Sequence, residues 1–110
     1  MARETLGLVQ GTVDVLILKT LTWSPMHGYA ISQWIRQRTD GALAVEDAAL
    51  YQALHRLERK GWVDSEWGIS DTNRRAKFYH ITPPGRKQLQ TDVAELQRYV
   101  EALFKVLQPA

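Results

Sequence analysis

A mainly α-helical fold with one small β-hairpin, closed by a long terminal helix, is what this 110-residue sequence predicts. Three observations carry it. Apolar residues recur at helical spacing in three successive short segments. An alternating run from Trp62 to Ile69 then meets the polar turn Ser70-Asp71-Thr72-Asn73 and a second run, Arg75 to Ile81. Finally, Leu89, Val93, Leu96, Val100, Leu103 and Leu107 are spaced four, three, four, three, four, a heptad seam of nearly three repeats. Three helices, a two-stranded wing and a long last helix predict a winged helix-turn-helix over residues 1–82 and a dimerisation helix over 83–110.

Each element has its own reason. Residues 1–11 read as loose. Thr12 is expected to cap the first helix, with Asp14 in the first turn where the helix dipole favours a carboxylate. Val13, Leu16, Ile17 and Leu21 form its stripe, and Ser24-Pro25 breaks it. The second helix is expected from about His27 to Thr39, with Ile31 and Ile35 on one face, and Asp40-Gly41 ends it. Ala42 to Val45 is a short extended link. Glu46 and Asp47 open the third helix, Leu50, Leu54 and Leu57 are its apolar stripe, and Gly61 stops it.

In the first strand Val63, Ser65, Trp67 and Ile69 alternate with Asp64 and Glu66, which argues for one wet face. In the return strand Ala76, Phe78 and His80 alternate with Arg75, Lys77, Tyr79 and Ile81. Both faces carry an aromatic, so alternation does not choose the buried one. The last helix runs from about Pro84 to Leu107. It could pack only on its own domain, but three short helices and a hairpin leave little surface to cover so long a stripe. Leu89, Val93, Leu96, Val100, Leu103 and Leu107 are therefore read as a dimer interface, with the Val and Leu placement suiting a two-stranded coil. Tyr99, Ala102 and Val106 add a second apolar strip beside it.

Composition narrows the function. There is no cysteine, which removes disulfide frameworks and thiolate metal sites and suits a reducing compartment. No signal pattern opens the chain, and the apolar run Val15 to Leu18 is too short to span a bilayer, so a soluble cytoplasmic protein is expected. Residues 55–88 hold eight Lys and Arg against four acids, while the segments on either side are each −1. A positive field concentrated on one third of the chain, and placed on a helix and hairpin, points to a phosphate backbone. An enzyme is not indicated. His27, His55 and His80 lack metal-ligand spacing, Ser24 and Ser32 have no nucleophile-elbow context, and no glycine-rich phosphate loop appears. No cofactor or metal is expected.

Particular residues say more. Pro25-Met26-His27-Gly28-Tyr29-Ala30-Ile31 resembles the P-x-H-G-Y-x-I signature of PadR-family transcriptional regulators. Leu50 to Glu58, followed by Gly61, resembles that family's L-Y-x-A-L-x-R-L-E-x-x-G recognition helix, and Arg75 to Thr82 with Gly85-Arg86 resembles its wing-to-helix junction. The likeness covers about residues 7–107 and is to the smaller subfamily with a single terminal helix. Asp47-Ala48-Ala49 stands where many members have a Pro-Gly-Ser turn, and Pro83-Pro84 replaces a more usual polar pair. The resemblance implies a homodimeric repressor of transcription, released in some members by a small planar aromatic effector.

The candidate DNA-binding residues follow from this frame. With the leucines inward, Ala48, Tyr51, Gln52, His55 and Arg59 occupy other faces of the third helix. Gln52 can pair with adenine and Ala48 offers a methyl to thymine. Tyr51 can donate to a phosphate, or else is a half-buried core tyrosine. His55 and Arg56 are further candidates, with Glu58 able to tie down a neighbouring base. Asn73, Arg74, Arg75 and Lys77 form the wing, where arginine can enter a narrow minor groove. Trp23, Trp34, Trp62 and Trp67 read as core or wing-packing residues; the resemblance implies an effector cavity at the dimer interface in some members, with Trp34 and Tyr99 as candidates to line it. The alternative function is a winged helix used for protein–protein contact without specific DNA binding.

Overall fold

The computed structural model describes residues 6–9 and 11–109. The elements run α1 (Thr12–Leu21), β1 (Met26–His27), α2 (Gly28–Arg38), α3 (Asp47–Arg59), β2 (Val63–Ile69), β3 (Arg75–Ile81) and α4 (Pro83–Leu107). Three short helices surround a core made by Ile17, Leu18, Ile31, Leu50, Leu54 and Leu57 with the base of the sheet. The fold expected from the sequence is therefore present, with local corrections.

The first correction lies before α1. Gly11, at φ 89°, is the cap position. Thr12 donates its hydroxyl to the Val9 carbonyl at 2.6 Å, so that oxygen is turned back along the chain and does not cap the helix. Residues 1–5 and 10 of the segment expected to be loose lie outside the described residues. Of the rest, Leu6 donates its N–H to the Ala42 carbonyl at 2.8 Å and Leu8 packs on the core. That part is tied down.

α2 begins on His27, whose Nδ1 accepts the Ala30 N–H at 3.2 Å. It ends where Asp40 and Gly41 adopt φ 50° and 81°. Thr39 Oγ1 donates to the Ile35 carbonyl and accepts the Leu43 N–H, both at 3.0 Å, which steers the chain into the link before α3. α3 buries Leu50, Ala53, Leu54 and Leu57. Gly61 at φ 76° then reverses the backbone, and the Trp62 N–H reaches the Leu57 carbonyl at 3.0 Å. A side chain at Gly61 would be strained in that conformation.

The sheet has three antiparallel strands in the order β1-β3-β2, where the sequence predicted two. β1 adds Met26 opposite Tyr79 and His27 opposite Phe78. Two residues are too few to show alternation, so Ser24-Pro25 reads only as a break. Between β2 and β3, Val63 faces Ile81, Ser65 faces Tyr79, Trp67 faces Lys77 and Ile69 faces Arg75. Val63, Tyr79 and Ile81 are buried, which settles the inward face of β3. The same face of β2 was expected to be dry along its length, but Trp67 is 60% and Ile69 65% exposed. The hairpin simply extends past the core that would cover them.

α4 starts at Pro83, one residue earlier than expected. Pro83 and Pro84 occupy the first turn, where no N–H is needed. Thr82 Oγ1 accepts the Gly85 N–H at 3.1 Å and donates to the Gly61 carbonyl at 2.7 Å, joining the helix start to the loop after α3. A Cβ on Gly85 would sit 2.0 Å from the Trp62 carbonyl oxygen, so only glycine permits this approach. Leu89 is buried and Val93 packs on the core, but Leu96, Val100, Leu103 and Leu107 are 38–61% exposed. The seam is thus divided: its start packs on its own domain and the remainder is uncovered. No helix among the described residues is long and apolar enough to cross a membrane.

Candidate nucleic-acid interface

α3 presents its site residues by helical geometry. With four apolar side chains turned inward, Ala48, Gln52, His55 and Arg59 fall on the opposite face, and all four are exposed. None of Gln52, His55 or Arg59 has a side-chain hydrogen bond or ion pair with another described residue. Arg59, placed off the core face by the sequence but given no contact role there, is the cation of this face, seven residues after Gln52.

Two of the expected cations are engaged within the chain. Arg56 Nη2 lies 2.7 Å from Asp14 Oδ1, tying α3 to α1. Lys77 Nζ lies 3.6 Å from Glu58 Oε1, and Ser65 Oγ donates to the same carboxylate at 2.7 Å. Lys77 also stands 5.8 Å from the Tyr79 ring centroid. Arg56 and Lys77 are thus braces first, each about a third or more exposed, and their charge is partly answered at home. Glu58 does hold a base, as its place beside Arg56 and Arg59 allowed, but that base is Lys77 across the wing.

Tyr51 is neither buried nor free. It is 45% exposed, yet its hydroxyl would lie 2.7 Å from a Cβ on Gly28, so the ring crosses onto the start of α2. Burial, then Glu58, then Tyr51 hold the Tyr79 hydroxyl above its ordinary pKa of 10.0, since each disfavours a phenolate there.

The wing tip is built differently. The Ser70 N–H donates to the Arg74 carbonyl at 2.8 Å and the Asn73 N–H to the Ser70 carbonyl at 2.9 Å. Asn73 takes φ 61°, a conformation asparagine tolerates well, so it shapes the turn. Arg74 and Arg75 are exposed, and neither belongs to an ion pair among the described residues. Between the wing, Tyr51 and the first turns of α2 runs an open concavity of about 1220 Å³. Arg74, Arg75 and Lys77 line it against the single acid Asp71, with hydroxyl and amide groups from Tyr29, Gln33, Gln37 and Thr72. Such a surface suits a sugar–phosphate strand.

The aromatic expectations divide. Trp34 lines that basic concavity and meets Trp23 at a tilt, with ring centroids 6.0 Å apart and Arg38 over both rings. Tyr99 lines another, of about 820 Å³, with Trp62, Asp14, Asp92 and Glu95. Within one chain the two residues thus line separate concavities, while the effector cavity implied by the resemblance lies between two copies. Trp23, expected to pack inside, is 59% exposed because it follows the end of α1.

The sequence model described as the "Transcriptional regulator PadR-like family" matches residues 17–91. A solved transcriptional regulator from Clostridium thermocellum is 33% identical, with TM-score 0.83, covering 90% of this chain and 96% of that one. A PadR family transcription regulator from Clostridium difficile is 26% identical with TM-score 0.76, over 89% of this chain and all of that one. An uncharacterised protein from Lysinibacillus sphaericus is 30% identical over 105 residues, 92% of this chain and 95% of its own length.

Proposed function

The chain belongs to the PadR-like family of transcriptional regulators, and from that premise we propose that it works as a dimeric, sequence-specific DNA-binding repressor. One observation supports this above the others. α3 leaves Gln52, His55 and Arg59 exposed and unengaged, and the wing arginines Arg74 and Arg75, with no carboxylate partner among the described residues, line a concavity that reaches α3 at Tyr51. α3 enters the major groove, where Gln52 reads adenine and Ala48 meets a thymine methyl, and His55 and Arg59 extend the contact. Arg74 and Arg75 reach the neighbouring backbone and minor groove. Arg56 and Lys77 fix the angle between α3 and its supports more than they bind phosphate.

The uncovered part of α4 supports the dimer. Leu96, Val100, Leu103 and Leu107 offer a second copy the seam that their own domain leaves open. Two-fold symmetry then requires a pseudo-palindromic operator with half-sites about one turn apart. A small planar aromatic effector seated between the two copies, with Trp34 and Tyr99 as its lining, would release the operator; each of these residues lines an open concavity of its own chain.

Selection of bound duplexes from a random pool at moderate salt tests the reading. A recovered motif with dyad symmetry is expected. Gln52→Ala should cost about 1–3 kcal/mol on that motif and relax discrimination at one position. No enrichment, with binding indifferent to salt, would replace it with the protein–protein module.

A further inference from the structure

One pair on the wing lies beyond the buried core. The Arg75 guanidinium on β3 lies 4.6 Å from the ring centroid of Trp67 on β2. The register brings this about: Trp67 is opposite Lys77 and Ile69 is opposite Arg75, so Trp67 and Arg75 are diagonal neighbours on one face. At the base of the wing that face carries Ser65, which bonds Glu58 of α3, so it is the side turned toward α3. The stack is bare. Trp67 is 60% exposed, Arg75 is exposed, and no carboxylate is paired with Arg75 among the described residues.

The chemistry of such a pair is specific. With its guanidinium carbon 4.6 Å from the indole centroid, Arg75 is restrained by the ring while its N–H donors have no carboxylate to answer them among the described residues. Lys77, the other basic side chain of this strand, differs in being braced to Glu58. The acceptor for a planar, ring-restrained fork with no carboxylate partner is a narrow negative slot. A minor groove at an A·T run is one, with its enhanced potential and its rows of base acceptors.

We propose that Trp67 is a positioning residue for DNA recognition: it holds Arg75 extended for an A·T-rich minor groove flanking the half-site, and so gives the chain a flank preference. The proposal rests on the DNA-binding reading above. Its test uses the full chain and duplexes carrying the selected motif with either A·T or G·C flanks. Binding is measured by fluorescence anisotropy across a salt series.

The wild-type chain should favour A·T flanks by about tenfold. Trp67→Ala should cut that ratio to within about twofold while leaving the salt slope unchanged, because no charge is removed. Arg75→Lys should do the same, since it keeps the charge and loses the fork. Trp67→Phe, which keeps a ring, should restore part of the preference, and Arg75→Ala should lower the slope by about one. Adding Trp67→Ala to Arg75→Ala should change nothing further. If Trp67→Ala melts early, Trp67→Phe and Arg75→Lys carry the comparison. Flank-blind binding by the wild type, an unchanged ratio in Arg75→Lys, or additive losses in the double variant would overturn the proposal alone. Absence of any selected motif would overturn the DNA-binding reading and this proposal with it.

Discussion

At the base of the wing Val63 and Ile81 pair in the core, Tyr79 is buried, and the Thr82 hydroxyl bridges the Gly61 carbonyl and the Gly85 amide. A few residues along the same strands, Trp67 and Ile69 face solvent, and Arg74 and Arg75 have no partner among the ion pairs of the described residues. One hairpin thus contains a clamp and a probe. The difference teaches that a cation's count in the sequence does not tell its availability. Lys77, two residues from Arg75, is spoken for by Glu58, and only the cations beyond the reach of that carboxylate remain open to a partner.

Four substitutions or conditions sharpen the contrast, beginning with the largest effect. Gly85→Ala places a methyl against the Trp62 carbonyl at the base. It should lower stability by more than about 3 kcal/mol, because backbone sits on both sides of the clash. A wild-type melting curve would show that the base is not a rigid clamp. Thr82→Ala removes the helix cap and the bridge to Gly61 together and should cost about 1–2 kcal/mol by urea denaturation.

High pH acts on the base through Tyr79. Its folded pKa is raised above 10.0, so the stability tied to its protonated form is complete below that value and is lost as pH climbs past it. Tyr79→Phe should flatten that alkaline fall, and an identical fall in both proteins would move the cause elsewhere. At the tip, Arg74→Ala should leave stability within about 0.5 kcal/mol. It should weaken binding to all duplexes and lower the salt slope by about one. A destabilised Arg74→Ala would erase the distinction between base and tip.

Much of this was legible in the sequence because local rules carried it. The leucine phase of α3, the Gly61 stop and the α4 seam all depend on neighbours within a few residues. The misreadings have two sources, distance and a choice between two local bonds. Arg56 meets Asp14 across forty-two residues, and no local pattern announces such a pair. Thr12 has a capping residue's chemistry, but the backward bond to Val9 wins. β1 exists because β3 has an open edge for Met26 and His27, not because two residues prefer extension. Trp67 alternates as a core residue would, yet no core lies beneath it.

The division of α4 has a mechanical consequence. Its 25 residues form a rod about 37 Å long, fixed at one end by Gly85 and Leu89 and grasped near the other by the proposed partner. Such a rod transmits angle as well as length. One residue inserted between Leu89 and Leu96 would swing the distal seam by about 100° about the helix axis without disturbing the head. The two heads of the pair would then meet the duplex out of phase, and an operator spacing that no longer matched would lose affinity though every contacting side chain was intact.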